Sequence, residues 1–262
     1  MNLCFIDTET TGLYPSYGDR VCELALILTD SDLTILDEYV SLINPQREIS
    51  PEAFQVNRID RNLLAQAPLF QSIAKPANDF LRDCYLVGHN VGFDESFIRN
   101  EFRLAGIDYR PAFTLDTRRI ARDLLTLQSY GLSVLATHFG IKIENRHRAM
   151  GDCRATLELF RQLARIYQSQ EGGSALEFIH KFEHKVDDIS VDVPNWLAQA
   201  MADNDEVEIE YSNRENQISR RKIKPLSVYA DRGRTYLEAF CALRQMKLTF
   251  LLDRIKKIDY FS

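Results

Sequence analysis

Residues 3–12 read Leu3-Cys4-Phe5-Ile6-Asp7-Thr8-Glu9-Thr10-Thr11-Gly12. Leu3, Phe5 and Ile6 form an apolar run typical of a buried β-strand, and the run ends in two carboxylates and a turn. Asp7 and Glu9 are two positions apart, so on a strand both side chains leave the same face, roughly 7 Å apart at Cα. Two carboxylates aimed together at the end of a buried strand repel one another, and a cation removes that repulsion. Hard oxygen donors suit Mg²⁺ or Mn²⁺. Taken alone, Asp-x-Glu is more often an ordinary acidic strand end followed by a Thr-Gly turn.

Working outward, Val21 to Leu28 and Leu33 to Val40 read as two further strands, which predicts an antiparallel meander starting from the acidic strand. Ser50-Pro51-Glu52 opens a helix. Asn62 to Ala67 and Phe70 to Asp83 read as helices, the second carrying Pro76. Cys84-Tyr85-Leu86-Val87 is a short buried strand leading into Gly88-His89-Asn90-Val91-Gly92-Phe93-Asp94. The helix that follows, to about Ala105, places Asp94 inside its apolar arc. A carboxylate there needs a partner, or else it borders the helix start, where acids are favoured. Glu101 falls in the same arc. Leu115-Asp116-Thr117 ends another strand, Gly131 to Phe139 is helical, and a long helix runs from about Ala149 to Tyr167. Asp152 sits at the edge of its apolar stripe, and His147 lies five residues earlier on a polar loop.

Three of these stretches carry a family resemblance. FIDTETTGL (5–13), LVGHNVGFD (86–94) and HRAMGD (147–152) resemble the three motifs of the DEDDh, or DnaQ-like, 3′–5′ exonucleases. The connecting segments INP…SPEAFQVNRID and LDTRRIARDLL are similar as well, so the likeness spans about residues 1–168. It implies an α/β fold: a ribonuclease H-like mixed five-stranded sheet with flanking helices. It also implies two divalent metal ions, Mg²⁺ or Mn²⁺, held by Asp7, Glu9, Asp94 and Asp152, with His147 as general base. An imidazole, with an unperturbed pKa of about 6.5, suits that role at physiological pH. Thr10, Thr11, Gly12 and Leu13 are expected to form the turn beneath the terminal nucleotide, Gly12 allowing close backbone approach. His89, Asn90 and Phe93 are expected to touch sugar, phosphate or base, with core packing an equal reading for Phe93. Asn57-Arg58-Ile59 departs from the family pattern, which has His-Gly-Ile there.

Gln168 to Ser174 is polar, contains Gly172-Gly173 and marks a boundary. The expected organisation is a nuclease domain over 1–170, a helical linker over 171–204 and a second domain over 205–262. In the linker, Ala175 to Val186 reads as a helix whose His180 and His184 are best explained as a solvated face. Asp192 to Met201 reads as another helix, anchored by Trp196. From Val207 the period becomes two, and five short strands suggest a small barrel. Thr235-Tyr236-Leu237 and Leu252-Asp253-Arg254-Ile255 resemble the WYL domain, which implies an Sm- or SH3-like barrel that binds nucleic acid or regulatory ligands. Thr235, Leu248 and Leu251 depart from that family's pattern. Arg221, Tyr236, Arg244 and Arg254 are the expected accessory contacts. Arg220-Arg221-Lys222 with Lys224 reads as a solvated hairpin or, alternatively, as a phosphate track.

Composition is that of an ordinary soluble globular protein. Hydrophobic residues make up 45% and charged residues 27%, which is ordinary for a chain with an ample core. The net charge of −6 divides unevenly: residues 205–262 hold 12 Lys+Arg against 9 Asp+Glu, and residues 1–204 hold 20 against 29. An acidic front that holds metal and a mildly basic rear suggest different tasks. Five scattered cysteines without a C-x-x-C pair read as packed thiols in the cytosol. No apolar run approaches membrane-spanning length and Met1 leads straight into a strand, so neither a signal peptide nor a membrane partner is expected. The expected substrate is nucleic acid, single-stranded DNA ahead of RNA, with a polymerase or repair protein as a candidate partner. The alternatives are an exoribonuclease and a non-catalytic regulator that senses nucleic acid or a ligand.

Overall fold

The computed structural model describes all residues except 14, 16–17, 187–193, 195, 198–199, 202–204, 214–216, 232–233 and 261–262. The chain forms two compact units, Met1–Asp187 and Asp188–Ser262.

The first unit is built on β1 (Asn2–Thr10), which is buried along nearly its whole length. It pairs antiparallel with β2 (Val21–Thr29), and β2 pairs antiparallel with β3 (Ile35–Leu42). On its other side β1 pairs parallel with β4 (Cys84–Gly88), and β4 pairs parallel with β5 (Phe113–Asp116). The sheet has six strands in the order β3-β2-β1-β4-β5-β6, against five expected. The extra member, β6 (His184–Lys185), pairs antiparallel with β5. The helix expected over Ala175 to Val186 therefore stops early: α8 spans Ala175–Phe182, opened by a capping box between Ser174 and Glu177. Both elements belong to the first unit.

Three helices fill the long connection between β3 and β4: α1 (Pro51–Asn57), α2 (Arg61–Gln66) and α3 (Phe70–Leu81), with Pro76 inside α3. Ser50 caps α1 through a 3.1 Å bond from the Ala53 amide. Then come α4 (Gly92–Leu104), α5 (Thr117–Leu124), α6 (Leu132–Phe139) and α7 (Ala149–Glu171).

The two-residue period of β1 divides the core. Leu3 and Phe5 face a cluster filled by α5, α6, α7 and α8, including Leu135, Leu157, Phe160 and Phe178. Cys4 and Ile6 face the opposite cluster, with Phe70, Phe97 and Phe102 from α3 and α4. Glu101, buried on α4, is neutralised by a bidentate 2.8 Å pair with Arg20 and a bond from the Val21 amide. That answers the need for a partner at this core-facing position.

The second unit contains an antiparallel five-stranded sheet in the order β10-β9-β8-β7-β11. Its strands are β7 (Val207–Ser212), β8 (Ile218–Asp231), β9 (Arg234–Cys241), β10 (Met246–Leu251) and β11 (Ile255–Tyr260). Val207, Ile209, Ile223, Leu237, Ala239 and Phe250 form its core together with Leu197 and Ala200. Trp196 packs against that core, but much of the expected Asp192–Met201 helix lies outside the described residues.

Candidate metal-dependent nuclease site

Asp7 and Glu9 continue the face of Leu3 and Phe5, so they point toward α7, whose first turn carries Asp152. Asp7, Glu9 and Asp152 each offer a carboxylate oxygen, and these oxygens all lie within 4.8 Å of one another. Thr8 continues the opposite face, toward α4. Its amide (2.9 Å) and hydroxyl (2.7 Å) both donate to Oδ1 of Asp94. Asp94 thus arrives from the helix layer on the other side of the sheet and is clamped to the acidic strand end. Thr8 holds it there, and the spacing of residues 7–9 contains that signal, because the middle residue of Asp-Thr-Glu must face the other layer.

Each acid resists ionisation here. Burial raises the Asp7 carboxyl well above its ordinary range, and Asp94, Asp152, Glu9 and Glu23 raise it further. Burial, Asp152, Glu23 and Asp94 push Glu9 up to about 8. Asp94 rises to about 7, because burial outweighs the two Thr8 bonds. Asp152 is raised by burial, partly offset by the His147 amide and by the His147 and Arg146 side chains. Burial and neighbouring like charges both disfavour the ionised form of a carboxyl group. The all-oxygen donor set therefore fits a hard divalent ion.

His147 is partly exposed and adopts φ 61°, a left-handed conformation that histidine enters more readily than most residues. Its amide donates to Oδ2 of Asp152 at 3.2 Å. Gly151 lets the loop cross α7 closely: a Cβ there would lie 1.9 Å from the Glu144 carbonyl oxygen.

The turn after β1 is tied down by its own side chains. Thr10 and Thr11 are buried, and their hydroxyls donate to the Gly12 carbonyl (2.6 Å) and to Asp19 (3.2 Å). The Asp19 carboxylate occupies the space a Gly12 Cβ would need, the nearest atom lying 2.2 Å away. Gly12 thus admits a side chain of the protein itself. Leu13 is 62% exposed. His89 is half buried, 2.9 Å from the Thr117 hydroxyl, and burial lowers its pKa to about 4. Asn90 is exposed at φ 69°, its amide on Asp116. The Phe93 ring lies against Phe97 at 4.9 Å. Asn57 donates to the Thr10 carbonyl (3.3 Å), and Arg58 takes φ 51°.

In the second unit, Arg221 and Arg244 line a cavity of about 590 Å³ with Tyr211, Leu248 and Phe250. Tyr236 and Arg254 do not line it. Arg220 and Lys222 are paired with Glu210 and Glu206, at 3.0 and 2.8 Å. The basic run is therefore split: alternate residues form a solvated, ion-paired face, while Arg221 shares the register of buried Ile223. His180 pairs with Glu183 at 3.0 Å.

The profile of the exonuclease (RNase T) family matches residues 4–160, and that of the WYL domain matches residues 192–260. Proteins of Staphylococcus aureus strains named 3′-5′ exonuclease DinG are 37% identical over 155 residues, covering 59% of this chain and 17% of theirs. The chain thus spans about one sixth of the length of those relatives. Among solved structures, exonuclease I superposes with a TM-score of 0.61 at 19% identity, over 91% of this chain and 55% of that one. Exonuclease X in complex with 5′-overhanging duplex DNA gives 0.52 at 24% identity, over 66% and 95%. A nuclease fold, converging carboxylates and a family match across most of the first unit lead to one assignment: the chain belongs to the exonuclease family.

Proposed function

We propose that the chain is a metal-dependent 3′–5′ exonuclease that hydrolyses the terminal phosphodiester of a single strand, DNA in preference to RNA, and releases nucleoside 5′-monophosphates. The observation that carries this reading is the meeting of Asp7, Glu9 and Asp152 within 4.8 Å, with Asp94 tied to the intervening Thr8. Asp7, Glu9, Asp94 and Asp152 would hold two divalent ions, Mg²⁺ or Mn²⁺. When bound, such ions stabilise the attacking and leaving oxygens of an in-line displacement. His147, on its partly exposed loop, accepts the proton of the attacking water. Thr8 keeps Asp94 in place, and Leu13 offers an apolar surface to the terminal nucleotide. The relatives' names and the DNA-bound exonuclease I and exonuclease X structures support this reading.

The second unit serves as an accessory binder of nucleic acid or an anionic ligand, through Arg221 and Arg244 beside an aromatic floor. The WYL match favours an Sm- or SH3-like closure of its sheet. Five free cysteines, all buried, suit a reducing cytosol.

The test compares 5′-labelled DNA and RNA strands of one sequence. Wild type with Mg²⁺ or Mn²⁺ is expected to shorten DNA stepwise from the 3′ end. Asp7→Ala should lose about 1,000-fold in rate while keeping its fold. A pure Asp7→Ala protein as active as the wild type would end the proposal, and faster digestion of RNA would reassign the substrate.

A further inference from the structure

We infer that Glu23, on β2, is a positioning residue that acts with Arg148 to hold the His147 loop over the acids. The inference rests on the nuclease reading above, in which His147 accepts a proton.

Glu23 lies directly opposite Glu9 in the β1–β2 pairing. Two carboxylates in a cross-strand pair repel, and Glu23 is also only 2% exposed. Such a residue persists in the fold only if something holds it. Arg148 Nη2 reaches Oε1 at 2.6 Å, Arg148 Nε reaches Oε2 at 3.0 Å, and the Ala149 amide reaches Oε2 at 3.0 Å. Both oxygens are therefore engaged by the loop, and Glu23 stands outside the group of Asp7, Glu9 and Asp152.

The partners are the two residues immediately after His147. Arg148 is the N-cap of α7 and Ala149 its first residue. A buried carboxylate at that point satisfies an orphan amide and suits the positive end of the helix. The contact joins β2, which borders β1, to the backbone that carries His147. On the far side, the Gly151 crossing and the bond from the His147 amide to Asp152 fix the rest of the loop. The Arg148 side chain is 47% exposed and borders a cavity of about 540 Å³ lined also by Glu144 and Arg154. A severed Arg148 would therefore be hydrated, and in Glu23→Gln the neutral side chain can still accept from the Ala149 amide.

The test uses the full chain with Mn²⁺, measuring kcat and KM on a single-stranded DNA oligomer. Glu23→Gln and Arg148→Met should each lower kcat about 10- to 30-fold and leave KM within about 3-fold. Arg148→Lys should retain more activity than Arg148→Met. The rise in melting temperature on adding Mn²⁺ should match that of the wild type. In a His147→Ala background, adding Glu23→Gln should cost less than about 2-fold, because residues that act through one group are not additive. A full loss in that background would overturn the proposal and assign Glu23 to the fold alone. So would full activity of Glu23→Gln and Arg148→Met beside a weakened His147→Ala. A His147→Ala protein as active as the wild type would overturn the role of His147 itself, and the proposal with it.

Discussion

Glu9 and Asp94 are held with carboxyl groups at about 8 and about 7, whereas an unfolded chain leaves such groups near 4. The folded state therefore binds these protons more tightly than the unfolded one. The stability they confer is complete below the ordinary carboxylate range and is lost as the pH rises through 7 to 8. With a chelator present, the melting temperature of the first unit should fall by roughly 5 °C between pH 6 and pH 8.5. Millimolar Mn²⁺ should abolish the fall, since bound metal takes the place of the protons. A metal-free melting temperature that rises over this range would contradict the assigned environment. Arg58 gives a second prediction at this scale. It closes α1 in a left-handed conformation with its amide on the Phe54 carbonyl. Arg58→Gly should stabilise the protein by about 0.5–1 kcal/mol in denaturant unfolding, because glycine enters that region without steric cost. The acids and His147 were legible as candidates from their motifs. Glu23 was not, because in Val21-Cys22-Glu23-Leu24 it reads as an isolated polar residue in an apolar strand, and its partners lie about 125 residues away.

Strand β1 does most of the site's construction. One alternation sends Asp7 and Glu9 toward α7 and Thr8 toward α4, so acids from two helix layers meet at one strand end. That convergence depends on how closely the loop before α7 can cross the helix. Gly151→Ala should displace the Glu144–Asn145 backbone, lower nuclease activity at least about 10-fold, and leave the far-ultraviolet circular dichroism unchanged. Wild-type activity in that variant would show that the crossing is not required. The antiparallel meander and the helix over residues 149–167 were readable from periodicity, because their apolar faces repeat cleanly. The end of α8 and the two-residue β6 were not. A strand of two exposed residues has no period, and only pairing with β5 defines it.

At the scale of the whole molecule, the proposed accessory role of the second unit can be tested apart from the nuclease site. Arg221→Ala with Arg244→Ala should weaken binding of a single strand about 10-fold and flatten its salt dependence by about one to two ions. Turnover of a saturating short oligomer should hold steady. Unchanged binding curves would remove the cavity from nucleic-acid recognition. The strands of the second unit were visible in their alternation. The grouping of Arg221 with Arg244 emerged only from the way β7, β8 and β10 surround one cavity.

The chain's own order of residues determined the strands, the long helices, the three motifs and the identity of the converging acids, because each is written in local periodicity or in contiguous residues. Only the tertiary structure decided which groups hold those residues in place: Thr8 on Asp94, Glu23 on Arg148, Asp19 against Gly12. The physical reason is that a buried charge or hydroxyl must find a partner wherever packing brings one, and packing joins positions that no sequence period connects.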